Sequence, residues 1–164
     1  MIHDIDTTLA LIKSPVKNIS ANGVSIISKT ADIANARIEF ENGCISNLTS
    51  SRISMKSMRK AIFFQKDSYV SIDYLNKKVE VVKIKDAPKK NGPFDLILKN
   101  DSGVKKIITF DKPKVNEFNA ILFELESFAD SIIYNKPVVV TLSDGKRALD
   151  LALKISEKIK STLK

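Results

Sequence analysis

Apolar positions change their period twice along this chain. Ile5, Leu9 and Ile12 recur at helical spacing with Ala10 and Leu11 beside them, which predicts a helix over 5–12. Asp4 or Asp6 favours its start, and Ser14-Pro15 ends it. From about 16 to 111 the pattern shortens to β-rich runs at 16–21, 33–40, 44–53, 59–66, 69–74, 78–85, 94–99 and 104–110. Turn residues separate them: Glu41-Asn42-Gly43, Lys66-Asp67-Ser68, Asn76-Lys77 and Asn100-Asp101-Ser102-Gly103. Asp86 to Pro93, with two prolines and Asn91-Gly92, reads as an exposed loop. Such spacing predicts antiparallel hairpins.

After Pro113 the period lengthens to 3.6. Phe118, Ile121, Leu122, Leu125, Phe128, Ala129 and Ile132 form one stripe, predicting a helix over about 116–135 that buries a face and stops at Pro137. Val138-Val139-Val140 reads as a short strand. Ser143-Asp144-Gly145 then opens a last helix, with Thr141 or Ser143 as N-cap and Ala148, Leu149, Leu151, Ala152, Ile155, Ile159 and Leu163 apolar.

Strands in the middle and helices at both ends indicate an α+β domain: one large, mostly antiparallel sheet with helices on a single face. The runs Ala61-Ile62-Phe63-Phe64 and Val79 to Ile84 are apolar on both sides, where a solvated far face would impose strict alternation. The expectation is that another subunit or domain covers part of that face, so that the protein forms a homo-oligomer through its sheet.

Composition narrows the chemistry. The 164 residues suffice for one domain, and 43% apolar with 28% charged residues excludes a disordered tail or a disulfide-stapled miniprotein. The five glycines, Gly23, Gly43, Gly92, Gly103 and Gly145, lie at least eleven positions apart, so neither G-x-G-x-x-G nor the phosphate-cradling loop is present. The net charge of +8 comes mostly from dispersed lysines; only Arg37, Arg52, Arg59 and Arg147 are arginines. That balance describes a solvated surface more simply than a nucleic-acid reader. Cys44, the sole cysteine, excludes an intrachain disulfide and reads as a small buried strand residue rather than a nucleophile. No apolar run reaches the length of a membrane span, and the start lacks a signal-peptide pattern, so a cytoplasmic protein is expected.

Four segments taken in order carry a resemblance: Ile2-His3-Asp4-Ile5-Asp6, Ala34 to Gly43 (ANARIEFENG), Asn47-Leu48-Thr49-Ser50-Ser51-Arg52, and Ser143-Asp144-Gly145-Lys146-Arg147-Ala148-Leu149. Over essentially its whole length the chain resembles the C-terminal, substrate-binding domain of the Gfo/Idh/MocA oxidoreductases. The fold so implied is that of the dihydrodipicolinate reductase and glyceraldehyde-3-phosphate dehydrogenase C-terminal domains. The resemblance implies a parent enzyme that uses NAD or NADP on a sugar or sugar-nucleotide hydroxyl. Its cofactor would bind a preceding Rossmann domain, and this chain, expected to lack that domain, would be inactive alone and hold no cofactor or metal.

The same resemblance places His3 at the histidine of the family's D-x-x-x-H motif, whose aspartate would fall before Met1. There an imidazole, titrating near neutral pH, takes up the hydroxyl proton. Arg52, with Ser51 before it, is the candidate substrate contact, since a guanidinium suits an anionic or hydroxyl-rich ligand; a surface ion pair is the plain alternative. Asp111-Lys112-Pro113 imitates the family's Glu-Lys-Pro but sits between a strand and a helix, so Lys112 reads as a solvated loop lysine. Two readings stay open: the substrate-binding and oligomerisation domain of a dehydrogenase, or a stand-alone scaffold that keeps the fold without the chemistry.

Overall fold

The computed structural model describes residues 1–86, 96–99, 105–116 and 119–163. Most of the expected loop over 86–93, the turn at 100–103 and Phe118 lie outside those residues. The chain divides into two compact units, Met1–Met55 with Ala120–Lys164, and Lys56–Asn119. The α+β class and the antiparallel pairing are as expected. The strands are shared between two sheets, of three and five strands, where one large sheet was expected. The stretch between the sheets, Ile53 to Arg59, is rich in Ser and Met and carries no strand alternation.

In the first unit, α1 (Ile2–Leu11) is followed by β1 (Val16–Val24), β2 (Ile33–Phe40) and β3 (Ile45–Ser51), which pair in the order β1-β2-β3; α2 (Ala120–Ile133) and α3 (Leu142–Thr162) complete it. Register explains the alternation. Ile19, Ile38 and Ser46 stand opposite one another, as do Ala21, Ala36 and Leu48, and these share the face that meets α1 and α3. Ile5 and Leu9 of α1 and Ala148, Leu151, Ile155 and Ile159 of α3 close the core around Ile38 and Phe40. Burying a side chain the size of Ile38 or Phe40 contributes roughly 1.5–3 kcal/mol. The other face is polar: Ser20, Arg37 and Asn47 form one cross-strand row, and Asn22, Asn35 and Thr49 the next.

The β2–β3 turn forms where Glu41-Asn42-Gly43 predicts it, with Gly43 at φ +84°, a left-handed conformation that suits glycine. Cys44 corrects an expectation. It is exposed just beyond that turn, where its amide donates to Asn42 Oδ1, because the turn extends past Gly43 and β3 begins only at Ile45. Helix α1 starts at Ile2, and neither Asp4 nor Asp6 caps it; Asp4 instead pairs with the terminal amine at 3.4 Å.

Of the two N-cap candidates helix α3 uses Thr141, in a capping box: its side chain accepts from the Asp144 amide, and the Asp144 carboxylate accepts from the Thr141 amide. Two expectations fail nearby. None of the residues of α2 is buried, and Leu125, Phe128 and Ile132 face solvent. The stripe identifies a helix that has an apolar face, but not what covers it. Val138–Val140 are exposed and form no strand, since an apolar triplet without a partner edge has no ladder to join.

The second unit is a sheet ordered β4-β5-β6-β8-β7, from β4 (Lys60–Gln65), β5 (Ser68–Asp73), β6 (Lys78–Asp86), β7 (Leu96–Lys99) and β8 (Lys105–Asp111). Both of its faces carry apolar side chains. Phe64, Tyr69, Val82 and Phe110 stand in one cross-strand row, with the Phe64 and Tyr69 rings edge to face at 5.3 Å. Phe63, Val70 and Val81 form a row on the reverse face. The β5–β6 turn is built by Asp73, whose carboxylate accepts from the amides of Leu75 and Asn76 and from the Asn76 side chain, while Lys77 takes φ +50°. Lys112 follows β8 and pairs with Glu80 at 3.0 Å; that ion pair holds the Glu80 carboxyl below its ordinary range.

Candidate functional site

The polar face of the three-stranded sheet ends in a cluster that the strand pattern does not announce. Asp32, just before β2, is 2% exposed. One carboxylate oxygen, Oδ2, accepts from the amides of Ile26, Ile27 and Ser28 at 2.7, 2.8 and 3.1 Å; the other, Oδ1, accepts from Ser28 Oγ at 2.7 Å. Four donors converging on one carboxylate favour its charged form and push its pKa far below the usual range, outweighing the burial that opposes it. The connection between β1 and β2 is thereby folded around a fixed negative charge.

Arg52 meets that charge. The β2–β3 ladder runs to Ile33 opposite Ser51, and one step further the Arg52 amide donates to the Asp32 carbonyl at 3.0 Å. Its Nε stands 3.7 Å from Asp32 Oδ1, with the side chain more than half exposed. With Nε turned toward Asp32, the terminal amino groups of the guanidinium are the part left to meet an anionic or hydroxyl-bearing ligand. Ser51 projects from the polar face, in line with Val24 and Ile33, and its hydroxyl accepts from the Ile53 amide at 3.3 Å. Beyond them Thr49 donates to Asn35 at 2.8 Å, and Arg37 reaches both Glu39 and Asn47. Such a face can exchange hydrogen bonds with a polyhydroxylated ligand.

His3 lies elsewhere. It is exposed in the first turn of α1, a helix that packs on the apolar face of the sheet, and its carbonyl accepts from Thr7 Oγ1 at 2.8 Å. No described hydrogen bond or ion pair links it to Ser51 or Arg52. Arg59 is engaged in the second unit, 5.1 Å from the centre of the Tyr74 ring. Among the described residues no group of three or more His, Cys, Asp or Glu is placed to hold a metal ion, and no helix is long and apolar enough to cross a membrane. The site residue that sequence reasoning missed is Asp32. Its only signal is a run of small polar residues, Ser25, Ser28 and Thr30, ahead of an acid.

Comparison with known proteins places the whole arrangement. The curated UDP-N-acetylglucosamine 3-dehydrogenase of Acidithiobacillus ferrooxidans is 28% identical over 163 residues, 99% of this chain and 48% of that protein. A solved structure of that enzyme superposes with a TM-score of 0.84 at 26% identity, again over 99% of this chain and 48% of the other. Along nearly its whole length the chain is similar to about half of this oxidoreductase, in keeping with its resemblance to the Gfo/Idh/MocA C-terminal domain. Levoglucosan dehydrogenase in complex with NADH shares the fold of this domain, with a TM-score of 0.73 at 13% identity over 99% of this chain and 47% of that one. No protein-family model matches. The chain spans about half the length of the relatives it matches.

Proposed function

We propose that this chain is the substrate-binding and subunit-contacting half of an NAD(P)-dependent oxidoreductase acting on a sugar or sugar-nucleotide hydroxyl. The observation that carries the reading is the likeness, along 99% of the chain, to a UDP-N-acetylglucosamine 3-dehydrogenase. The polar sheet face ending at Ser51 and Arg52 supports it, because hydroxyl, amide and guanidinium groups suit a sugar with an anionic substituent.

The residues present do not fit a nicotinamide dinucleotide. The described strands pair antiparallel throughout, whereas a dinucleotide fold needs parallel βαβ crossovers, and the glycines are isolated. In this reading the cofactor is held by the portion of the relatives that this chain does not cover. Within the domain, Arg52, positioned by Asp32, and Ser51 bind the substrate on the polar sheet face; His3, on α1 at the apolar face, is the competing candidate, as proton acceptor for a substrate bound on that side. The doubly apolar five-stranded sheet supports self-association, with Phe64 80% and Phe110 64% exposed on one face.

The test joins this chain to the part of the Acidithiobacillus ferrooxidans relative that it does not cover. Reduction of NAD or NADP is then followed with UDP-N-acetylglucosamine and with unsubstituted sugars. Turnover with one of them is expected. Loss of turnover in His3→Ala with substrate affinity kept assigns the reaction to the α1 side, whereas a raised KM in Arg52→Ala assigns substrate binding to the polar sheet face. A folded chimera that neither turns over nor binds any of these substrates overturns the reading. A Phe64→Glu variant that leaves the molecular mass by light scattering unchanged overturns association through that face.

A further inference from the structure

The net charge of +8 finds a place in the first unit. A surface groove of about 480 Å³ runs beside α3, from the end of α1 along the start of β1. That volume lies in the range of small-molecule sites. Its floor is apolar, formed by the core side chains of Leu9, Ile19 and Leu151. Its rim is cationic, with Lys17 from β1 and Arg147, Lys154 and Lys158 from α3.

The helix concentrates these charges. Lys154 and Lys158 follow Arg147 by seven and eleven residues, which keeps each within about 20° of Arg147, on either side of it, around the helix axis. Lys154 and Lys158 are also a like-charged pair four residues apart, an arrangement that weakens an isolated helix. One turn earlier the same helix uses the favourable version, with Lys146 on Asp150 at 2.8 Å. Asp150 is the sole carboxylate of the groove lining and is already neutralised by that contact. Arg147 reaches Asp144 at 3.7 Å, while Lys17, Lys154 and Lys158 have no ion pair among the described residues. A cationic rim left uncompensated around an apolar floor is complementary to an anion with several negative charges in a row.

We propose that this groove binds a small molecule carrying two or more linked phosphates. The inference is independent of the dehydrogenase reading. The ligand would lie at the Leu9 end of α1, with His3 at the other. Inorganic pyrophosphate offers the charge alone, and a nucleoside diphosphate adds a base for the floor.

The experiment titrates the 164-residue chain calorimetrically with pyrophosphate and with ADP at low salt. The comparison is Lys154→Glu/Lys158→Glu against a control, Lys56→Glu/Lys114→Glu, that makes the same charge change at exposed loop positions that do not line the groove. Saturable binding of either probe is expected, weakened about tenfold or more in the groove variant and by clearly less in the control. Tighter binding of ADP assigns a role to the floor; equal affinities assign recognition to the phosphates alone. Absence of saturable binding, or equal weakening in both variants, overturns the proposal. Should the charge reversal impair folding, Lys154→Gln/Lys158→Gln gives the same comparison.

Discussion

Arg52 is tied to Asp32 twice, by its amide on the Asp32 carbonyl at 3.0 Å and by its Nε 3.7 Å from the carboxylate. The first contact extends the β2–β3 ladder; the second sets the direction of the guanidinium. Substitution of Asp32 separates the two. In Asp32→Asn the side-chain oxygen can still accept the amides of Ile26, Ile27 and Ser28, but an NH2 group then faces Arg52. In Asp32→Ala all four donors lose their acceptor. Thermal melts should fall by several degrees for the alanine variant and by clearly less for the asparagine variant. Both should weaken binding of an anionic ligand at Arg52 to the extent that Arg52→Ala does. Equal melting losses in the two variants would show that the four donors do not hold this connection.

Three aspartates, besides Glu80 with its Lys112 partner, make the fold sensitive to acid. The donors around Asp32 lower its pKa well below 3.8, the Asn76 side chain and amide with Lys60 lower that of Asp73 from 3.8 to about 2, and the Thr141 hydroxyl and amide lower that of Asp144. A depressed folded pKa adds stability that is complete above the unfolded value and is lost as pH falls toward the folded one. Denaturant midpoints should therefore hold steady from about pH 7 to pH 5 with respect to these groups, and decline from about pH 4 to pH 2. Asp32→Asn should flatten part of that decline. A midpoint in the native chain that does not move down to about pH 2 would contradict the assignment.

The hairpins of this fold were legible because each turn carries residues with a local reason to bend. Gly43 accepts a positive φ, and Asp73 binds amides two and three residues ahead. The stripes of α1 and α3 were legible because both helices bury most of them, although Leu149, counted in the second stripe, is exposed. The same reasoning named α2 correctly as a helix and wrongly as buried, since periodicity reports an apolar face and not its covering. Cys44 and Val138–Val140 were misread because apolar character was taken for burial, where the backbone had no strand to offer. Of the site, Ser51 and Arg52 were marked by their place at a strand end. Asp32 was hidden, because its partners are backbone amides that only the folded connection brings to one point.

Gly23 and Gly43 are required for different reasons, and one substitution distinguishes them. A Cβ on Gly23 would stand 2.5 Å from Ile159 Cγ2 and 2.8 Å from Ala31 Cβ, so alanine there would push α3 away from β1. Overpacking of this kind costs about 1–3 kcal/mol. A Cβ on Gly43 meets nothing within 4 Å, and the cost comes from φ +84° alone, about 1–2 kcal/mol. Gly23→Ala combined with Ile159→Leu should regain part of the lost stability in urea unfolding, because leucine has no branch at Cβ and so removes the Cγ2 methyl from the crowded contact. Gly43→Asn should regain part of its loss by tolerating the left-handed conformation. Failure of Ile159→Leu to improve the Gly23→Ala variant would place the strain in the backbone instead of at α3.

The last helix depends on its first turn more than its length suggests. Helix α3 supplies Ala148, Leu151, Ile155 and Ile159 to the core, and its start is fixed by the reciprocal bonds of Thr141 and Asp144. Upstream, residues 138–140 are exposed and hold no ladder bonds, so no strand carries the chain into the helix. Removing the cap in Thr141→Ala should cost about 1 kcal/mol, within the range seen for helix caps, whereas Thr141→Ser should be close to neutral because it keeps the acceptor. Amide hydrogen exchange gives the more specific readout: protection should be lost first at Asp144 and Gly145, whose amides donate to the Thr141 hydroxyl and carbonyl, and persist at Ile155 and Ile159. An alanine variant that loosens the whole helix evenly would show that the box acts on global stability and not on the first turn.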